Sequence, residues 1–211
     1  ATGRFVALLS PEGDLFAGAV SCRFENLITP DFLQQNSILL KSASLVLMDT
    51  NLNAGSLDWL LGFSRAENIP CIIEPVSVPK AARLQKADLN NVLLMTPNRD
   101  EIIALNGDPG NGETQEMIRR VLDRGVQYLW MRDGKNGSGL YSKESAFQLP
   151  APRVQVVDTT GAGDAALAGW MHAWLMNKLP EECVRYGHAM ASLILQEKGA
   201  IKQNLNSLML E

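Results

Sequence analysis

Short apolar runs alternate with stretches of helical periodicity along the chain. Arg4 to Leu9 and Leu15 to Val20 flank Ser10-Pro11-Glu12-Gly13-Asp14, a turn-rich connector, and this pattern predicts a hairpin. Thr29-Pro30-Asp31 opens a helix toward Ala43, with a capping residue followed by proline at the first helical position. Further strands are predicted at Ser44 to Met48, Pro70 to Ile73, Val92 to Met95, Val126 to Met131 and around Leu140. Helices fill the gaps at Ser56 to Ala66, Arg99 to Asn106 and Glu113 to Arg124, the last stopping at Gly125. Strands separated by helices imply parallel pairing through right-handed crossovers. The expected fold is therefore α/β, a mostly parallel sheet with helices on both faces. No internal repeat, low-complexity tract or interdomain linker interrupts the pattern, so residues 1–211 read as one domain.

Near the C-terminal end the periodicity changes character. An apolar run, Val154 to Val157, predicts a strand that enters Asp158-Thr159-Thr160-Gly161-Ala162-Gly163-Asp164-Ala165. Beyond it Leu167, Trp170, Met171, Trp174 and Leu175 recur at helical spacing. Gly161 and Gly163 lack side chains, so backbone N–H groups can converge on one point, and the helix N-terminus adds partial positive charge. Such a turn is an anion cradle. A carboxylate there, Asp164, opposes the bound charge unless it removes a proton from a group attacking that anion, which is what phosphoryl transfer to an alcohol requires. The plainer alternative is that the glycines allow close packing and Asp164 caps the helix. No Gly-x4-Gly-Lys-Ser/Thr loop is present, which excludes that class of phosphate site.

Two other segments carry candidate chemistry. Leu94 to Met95 ends at Thr96-Pro97, which places Asn98 and Glu101 just beyond a strand's C-terminal end and one helical turn apart. Ligands of open parallel sheets bind at those ends, although Asn-x-x-Glu alone is also a helix-capping arrangement. Arg132-Asp133-Gly134-Lys135-Asn136-Gly137 crowds Gly and Asn between two strands and by itself predicts a hairpin turn.

Composition narrows the class. The chain has 211 residues, is 46% hydrophobic and carries a net charge of −4, enough to bury a substantial core. Mild acidity without a basic run disfavours nucleic acid as a partner. No apolar run reaches membrane-spanning length, and Cys22, Cys71 and Cys183 show no metal-ligand spacing, so the cytoplasm is the expected compartment and no membrane partner is expected.

The string Asp158-Thr159-Thr160-Gly161-Ala162-Gly163-Asp164, with Asn98-x-x-Glu101 upstream of it, resembles the signatures of the ribokinase-like (PfkB-type) family of sugar and nucleoside kinases. The resemblance implies a three-layer αβα sandwich and transfer of the ATP γ-phosphoryl group to a primary hydroxyl of a small-molecule sugar or nucleoside. It implies Asp164 as catalytic base and Gly161, Ala162 and Gly163 as the anion hole. Asn98 and, through water, Glu101 would hold Mg2+ and the nucleotide phosphates; Mg2+ keeps several waters, which suits an indirect carboxylate contact. Gly134 and Gly137 are carried over as nucleotide-adjacent, with Arg132 or Lys135 offsetting phosphate charge. Thr160 and His188 are nucleotide-lining by the same resemblance, His188 lying on a helix after Pro180 whose small residues admit a flat ring. Asp158 and Thr160 would line a monovalent-cation (K+) site.

Cys71-Ile72-Ile73-Glu74-Pro75-Val76-Ser77 and Thr50-Asn51-Leu52 look most similar to pseudouridine kinases, where Asp usually stands at the position of Glu74. Relatives carry about a hundred further N-terminal residues, including a Gly-Gly acceptor motif. The chain thus reads as the C-terminal two-thirds of the pattern, with residues 1–24 as a lid or edge hairpin. A sheet without its first strands exposes an unpaired edge, which favours a homodimer. A nucleotide-binding module without turnover and a structural fragment of such a kinase remain the alternatives.

Overall fold

The structure, a computed structural model, describes residues 3–9, 15–21, 26–107, 112–203 and 205. In chain order the elements are β1 (Arg4–Leu9), β2 (Leu15–Ser21), α1 (Pro30–Gln35), α2 (Ser37–Lys41), β3 (Val46–Asp49), α3 (Ala54–Ala66), β4 (Cys71–Glu74) and α4 (Val78–Ala81). They continue with β5 (Val92–Met95), α5 (Arg99–Asn106), α6 (Thr114–Asp123), β6 (Tyr128–Arg132), β7 (Ser138–Tyr141), β8 (Ala146–Leu149), α7 (Ala162–Leu175) and α8 (Pro180–Leu195).

Strands β3 to β8 form one six-stranded sheet in chain order. The pairs from β3 to β6 are parallel, and the last two, β6 with β7 and β7 with β8, are antiparallel. Every residue of β5 is buried, as an uninterrupted apolar run at the centre of a sheet covered on both faces requires. The pleat sends neighbouring side chains of one strand into different cores. Ile73, Met95 and Leu129 join α3, α5 and α6 on one face, whereas Ile72, Leu94 and Trp130 join α7 and α8 on the other. Trp130 and Trp170 meet in the second core fully buried. Truncating either to alanine removes contacts worth about 3–5 kcal/mol. The expected three-layer α/β architecture is thus present.

β1 and β2 form a separate antiparallel hairpin in which Val6 faces Ala19 and Leu8 faces Ala17. Its connector, Ser10 to Asp14, and Cys22 lie outside the described residues.

Three local expectations differ from the structure. The helix expected from Thr29 to Ala43 is divided at Asn36, where the backbone leaves the helical region (φ −102°, ψ 13°) and the side-chain amide donates to the Phe32 carbonyl at 2.8 Å. Asn competes with helical hydrogen bonding in this way. No strand forms at Val154 to Val157. Val156 and Val157 are 55% and 58% exposed, and the Val157 N–H bonds the Leu195 carbonyl at the end of α8. The segment is thus tied to a helix end rather than to the sheet. Conversely, β8 closes the sheet edge from the alternating Ala146-Phe147-Gln148-Leu149, whose signal is only four residues long.

Candidate active site

The parallel strands β4, β5 and β6 run the same way, so their C-terminal residues gather at one edge of the sheet. Glu74 ends β4, Thr96 follows β5 and Arg132 ends β6. Arg132 ties all three together. Its Nη2 donates to Glu74 Oε1 and Oε2 at 2.8 Å each and to the Thr96 carbonyl at 3.2 Å. Its Nη1 donates to the Gly163 carbonyl, in the first turn of α7, at 2.8 Å. Thr96 Oγ1 donates to Glu74 Oε2 at 2.6 Å, completing the set. Glu74 and Arg132 are 18% and 22% exposed, a partly desolvated pair in which charge-assisted bonds are strong. Just after Glu74, Val76 sits in the left-handed region (φ 64°), a costly conformation for a β-branched residue, and the Thr50 hydroxyl donates to the adjoining Pro75 carbonyl.

Asn98 and Glu101 form a complete capping box on α5. The Glu101 N–H donates to Asn98 Oδ1 and the Asn98 N–H to Glu101 Oε2, both at 2.9 Å. Glu101 is nevertheless 5% exposed. Burial pushes its carboxyl above the usual glutamate range; the Asn98 backbone N–H opposes this, the Glu74 charge adds to it and Arg132 opposes it. The capping arrangement and a buried carboxylate beside the strand ends are thus the same pair of residues. Among the described residues no group of three His, Cys, Asp or Glu side chains could cage a metal ion. A Mg2+ ion bound here would keep water and phosphate oxygens as ligands, which its chemistry favours and a single buried carboxylate fits.

The glycine loop enters α7 through Gly161, whose φ of 78° is left-handed and whose Cβ, if present, would lie 2.8 Å from that of Ala200. Asp158 fixes the approach. Its Oδ1 accepts from the Thr160 N–H and its Oδ2 from the Gly199 N–H, each at 2.9 Å. The Thr160 bonds, backbone first, together with the Gly199 N–H hold its carboxyl below the usual range. Asp164 lies exposed in the first turn of α7, where backbone N–H groups have no intrahelical partner. Ala162 differs from its neighbours, because its N–H bonds the Thr159 carbonyl at 3.2 Å within the turn.

Gly134 and Gly137 bracket the turn after β6. Gly137 (φ 102°) faces backbone so closely that a Cβ would lie 2.2 Å from the Leu149 carbonyl oxygen, whereas nothing lies within 4 Å of a Cβ on Gly134. A cleft of about 570 Å³ opens on this side of Arg132, lined among others by Arg99, Asp133, Asn136, Gly137 and Tyr141. His188 lies on the opposite face of the hairpin. Its Nε2 is 2.7 Å from Ser138 Oγ, which also accepts from Trp130 Nε1 at 2.8 Å. The flat ring that approaches the small face of α8 is the Trp130 indole, against which a Cβ on Gly187 would lie at 2.5 Å.

Arg132, the Asn98-Glu101 pair and the first turn of α7 are therefore brought to one edge, while His188 is bonded into the hairpin. Sequence reasoning left Glu74 without a role and passed over Thr96. Their only signal is a polar residue at the C-terminal end of an apolar strand.

Known proteins place this geometry in a family. Residues 21–207 match the pattern of the pfkB family carbohydrate kinases. Among curated proteins, the pseudouridine kinase of Escherichia coli is 29% identical over 202 residues, covering 92% of this chain and 62% of that protein. The ribokinase of Arabidopsis thaliana is also 29% identical, covering 95% of this chain and 53% of its own length. The chain thus spans less than two-thirds of these relatives. A carbohydrate kinase from Agrobacterium tumefaciens superposes over 99% of this chain and 67% of its own with a TM-score of 0.80 at 25% identity. With the glycine loop, the Asn98-Glu101 pair and the sheet order all in place, the chain belongs to the pfkB family of carbohydrate kinases.

Proposed function

We propose that this chain carries the nucleotide-binding and base-bearing part of an ATP-dependent kinase acting on a primary hydroxyl of a sugar or nucleoside, with pseudouridine as the first acceptor to try. The observation that carries the reading is Asp164 on the exposed first turn of α7, directly after the left-handed Gly161. In this reading Asp164 accepts the proton of the attacking hydroxyl, and N–H groups of Gly161, Gly163 and the helix start stabilise charge on the transferring oxygens, the Ala162 N–H being committed to the Thr159 carbonyl. Glu101, through water, and Asn98 would hold Mg2+ and the nucleotide phosphates; when bound, Mg2+ neutralises charge on the phosphates. Gly134 and Gly137 shape the turn beside the nucleotide, Thr160 lines it, and Asp158 offers carboxylate charge to K+.

Two solved structures of the same fold support the cofactors. A related fold, a ribokinase of Arabidopsis thaliana, is described as complexed with ribose and ATP, and a putative ribokinase II of E. coli as complexed with ATP and Mg2+. Self-association is proposed from the hairpin, where Val6, Leu8, Phe16 and Val20 are 58%, 59%, 82% and 66% exposed, and from β3, the outermost strand of its sheet. Among the described residues no helix is long and apolar enough to cross a membrane, and the acidic balance disfavours nucleic acid. The alternative reading is a nucleotide-binding module without turnover.

A coupled ADP-release assay with pseudouridine, ribose and uridine, paired with calorimetric titration of MgATP, separates the readings. Acceptor-dependent release abolished by Asp164→Asn supports the kinase. MgATP binding without release under any acceptor supports the module, and no binding at all rejects both.

A further inference from the structure

Arg132 is one of the two residues, with Lys135, whose basic charge the resemblance offers to the phosphates, yet the structure commits its guanidinium elsewhere. Nη2 is taken up by both Glu74 oxygens and the Thr96 carbonyl, and Nη1 by the Gly163 carbonyl. Its charge is already matched by Glu74. What it touches at α7 is one specific peptide group. The carbonyl of Gly163 and the N–H of Asp164 belong to the same planar trans peptide, so they point in opposite directions. Fixing the carbonyl from one side fixes the N–H on the other, and that N–H is a first-turn donor of the proposed anion hole. The same peptide carries the Cα of Asp164. The approach is close, since a Cβ on Gly163 would lie 3.2 Å from Arg132 Nη1.

Resting on the kinase reading above, we infer that Glu74 and Arg132 form a positioning pair that sets the Gly163–Asp164 peptide, with Glu74 acting on that peptide only through Arg132, and that Arg132 is not a phosphate ligand. Glu74 anchors the guanidinium to β4, Thr96 anchors it to β5, and the fourth bond transmits that fixed position to the start of α7. Glu74 on β4 thus reaches a guanidinium based on β6, two strands away.

The inference differs in sign from its rival. If Arg132 were a phosphate ligand restrained by Glu74, releasing it with Glu74→Gln would tighten MgATP binding. A positioning pair predicts the opposite: Glu74→Gln and Arg132→Gln each weaken MgATP about tenfold, and the double variant is no weaker than Arg132→Gln alone. Arg132→Lys keeps the charge but not the fork that reaches four acceptors, so it does not restore affinity. Glu74→Asp, a milder change, falls between wild type and Glu74→Gln. A readout independent of nucleotide accompanies the titrations: 15N order parameters of the Gly163 and Asp164 amides fall from about 0.85 toward 0.6 in both Gln variants, with Ala173 at the far end of α7 unchanged. Tighter binding in Glu74→Gln, additive losses in the double variant, full rescue by Arg132→Lys, or unaltered order parameters each overturn the inference. Should wild type bind no MgATP, the kinase reading fails by itself, and the order parameters still decide whether the pair sets the peptide.

Discussion

Glu74 and Arg132 stand 58 positions apart in the chain, and both carboxylate oxygens of Glu74 accept from Arg132 Nη2 at 2.8 Å. With both side chains mostly shielded from solvent, removing one strands the other's charge. Arg132→Met and Glu74→Met should each lower thermal stability by more than the double replacement does, because the double variant leaves no unpaired charge. Thermal melts of the three variants check this, and simple additivity would count against it.

Asp164→Asn should lower acceptor-dependent turnover by about 10² to 10⁴ while leaving MgATP affinity close to wild type, since only the proton acceptor is lost. Steady-state rates and calorimetric affinities measured on the same preparation give the comparison. A variant retaining more than about a tenth of wild-type turnover removes Asp164 from the role of base.

Two titratable groups, the buried Glu101 and the half-buried His188, shift stability in opposite directions with pH. The Glu101 carboxyl is raised by burial, so the folded state favours its protonated form; that contribution is present below the unfolded value and is lost as pH rises through the folded one. Gln keeps the capping geometry without the charge. Glu101→Gln should therefore gain stability relative to wild type as pH climbs from about 4 to about 7. The His188 ring is lowered by burial, with the Pro150 backbone opposing, so the folded state favours the neutral ring; that contribution is present above the unfolded value and is lost as pH falls through the folded one. His188→Gln should flatten the loss of stability below about pH 6.5. Thermal melts across the range test both. A parallel pH response of variant and wild type would contradict the corresponding assignment.

The turn after β6 offers a packing test. Gly137→Ala drives a Cβ onto the Leu149 carbonyl oxygen, a backbone atom that cannot move aside, while Gly134→Ala meets open space and suffers only its positive φ of 49°. The first should cost more than about 2 kcal/mol and the second about 1 kcal/mol, read as a drop in Tm. Equal costs would show that the hairpin yields.

Much of the fold was legible because its signals are local. The bounds of β5 and α5 coincide with the predicted Val92 to Met95 and Arg99 to Asn106, since a wholly apolar run and an Asn98 cap are written in consecutive residues. The glycine string announced its own turn and the start of α7 in the same manner. Where the reading failed, the deciding contact was distant. Val154 to Val157 has strand composition, but the Val157 N–H is taken by Leu195, and no local pattern records that competition. β8 owes its place to pairing with β7, which four alternating residues cannot declare alone.

The sequence by itself determined the local form of the candidate site: the left-handed Gly161 before α7, Asp164 in that helix's first turn, and the capped Asn98-Glu101 turn, because residue type and short spacing fix such features. The tertiary structure alone decided that Glu74, Thr96 and Arg132 meet. Each ends or follows a different strand, and only the parallel stacking of β4, β5 and β6 brings one guanidinium within hydrogen-bonding distance of all of them and of Gly163. Charge neutralisation depends on distances of a few ångströms between segments far apart in the chain, and such distances exist only once the sheet has formed.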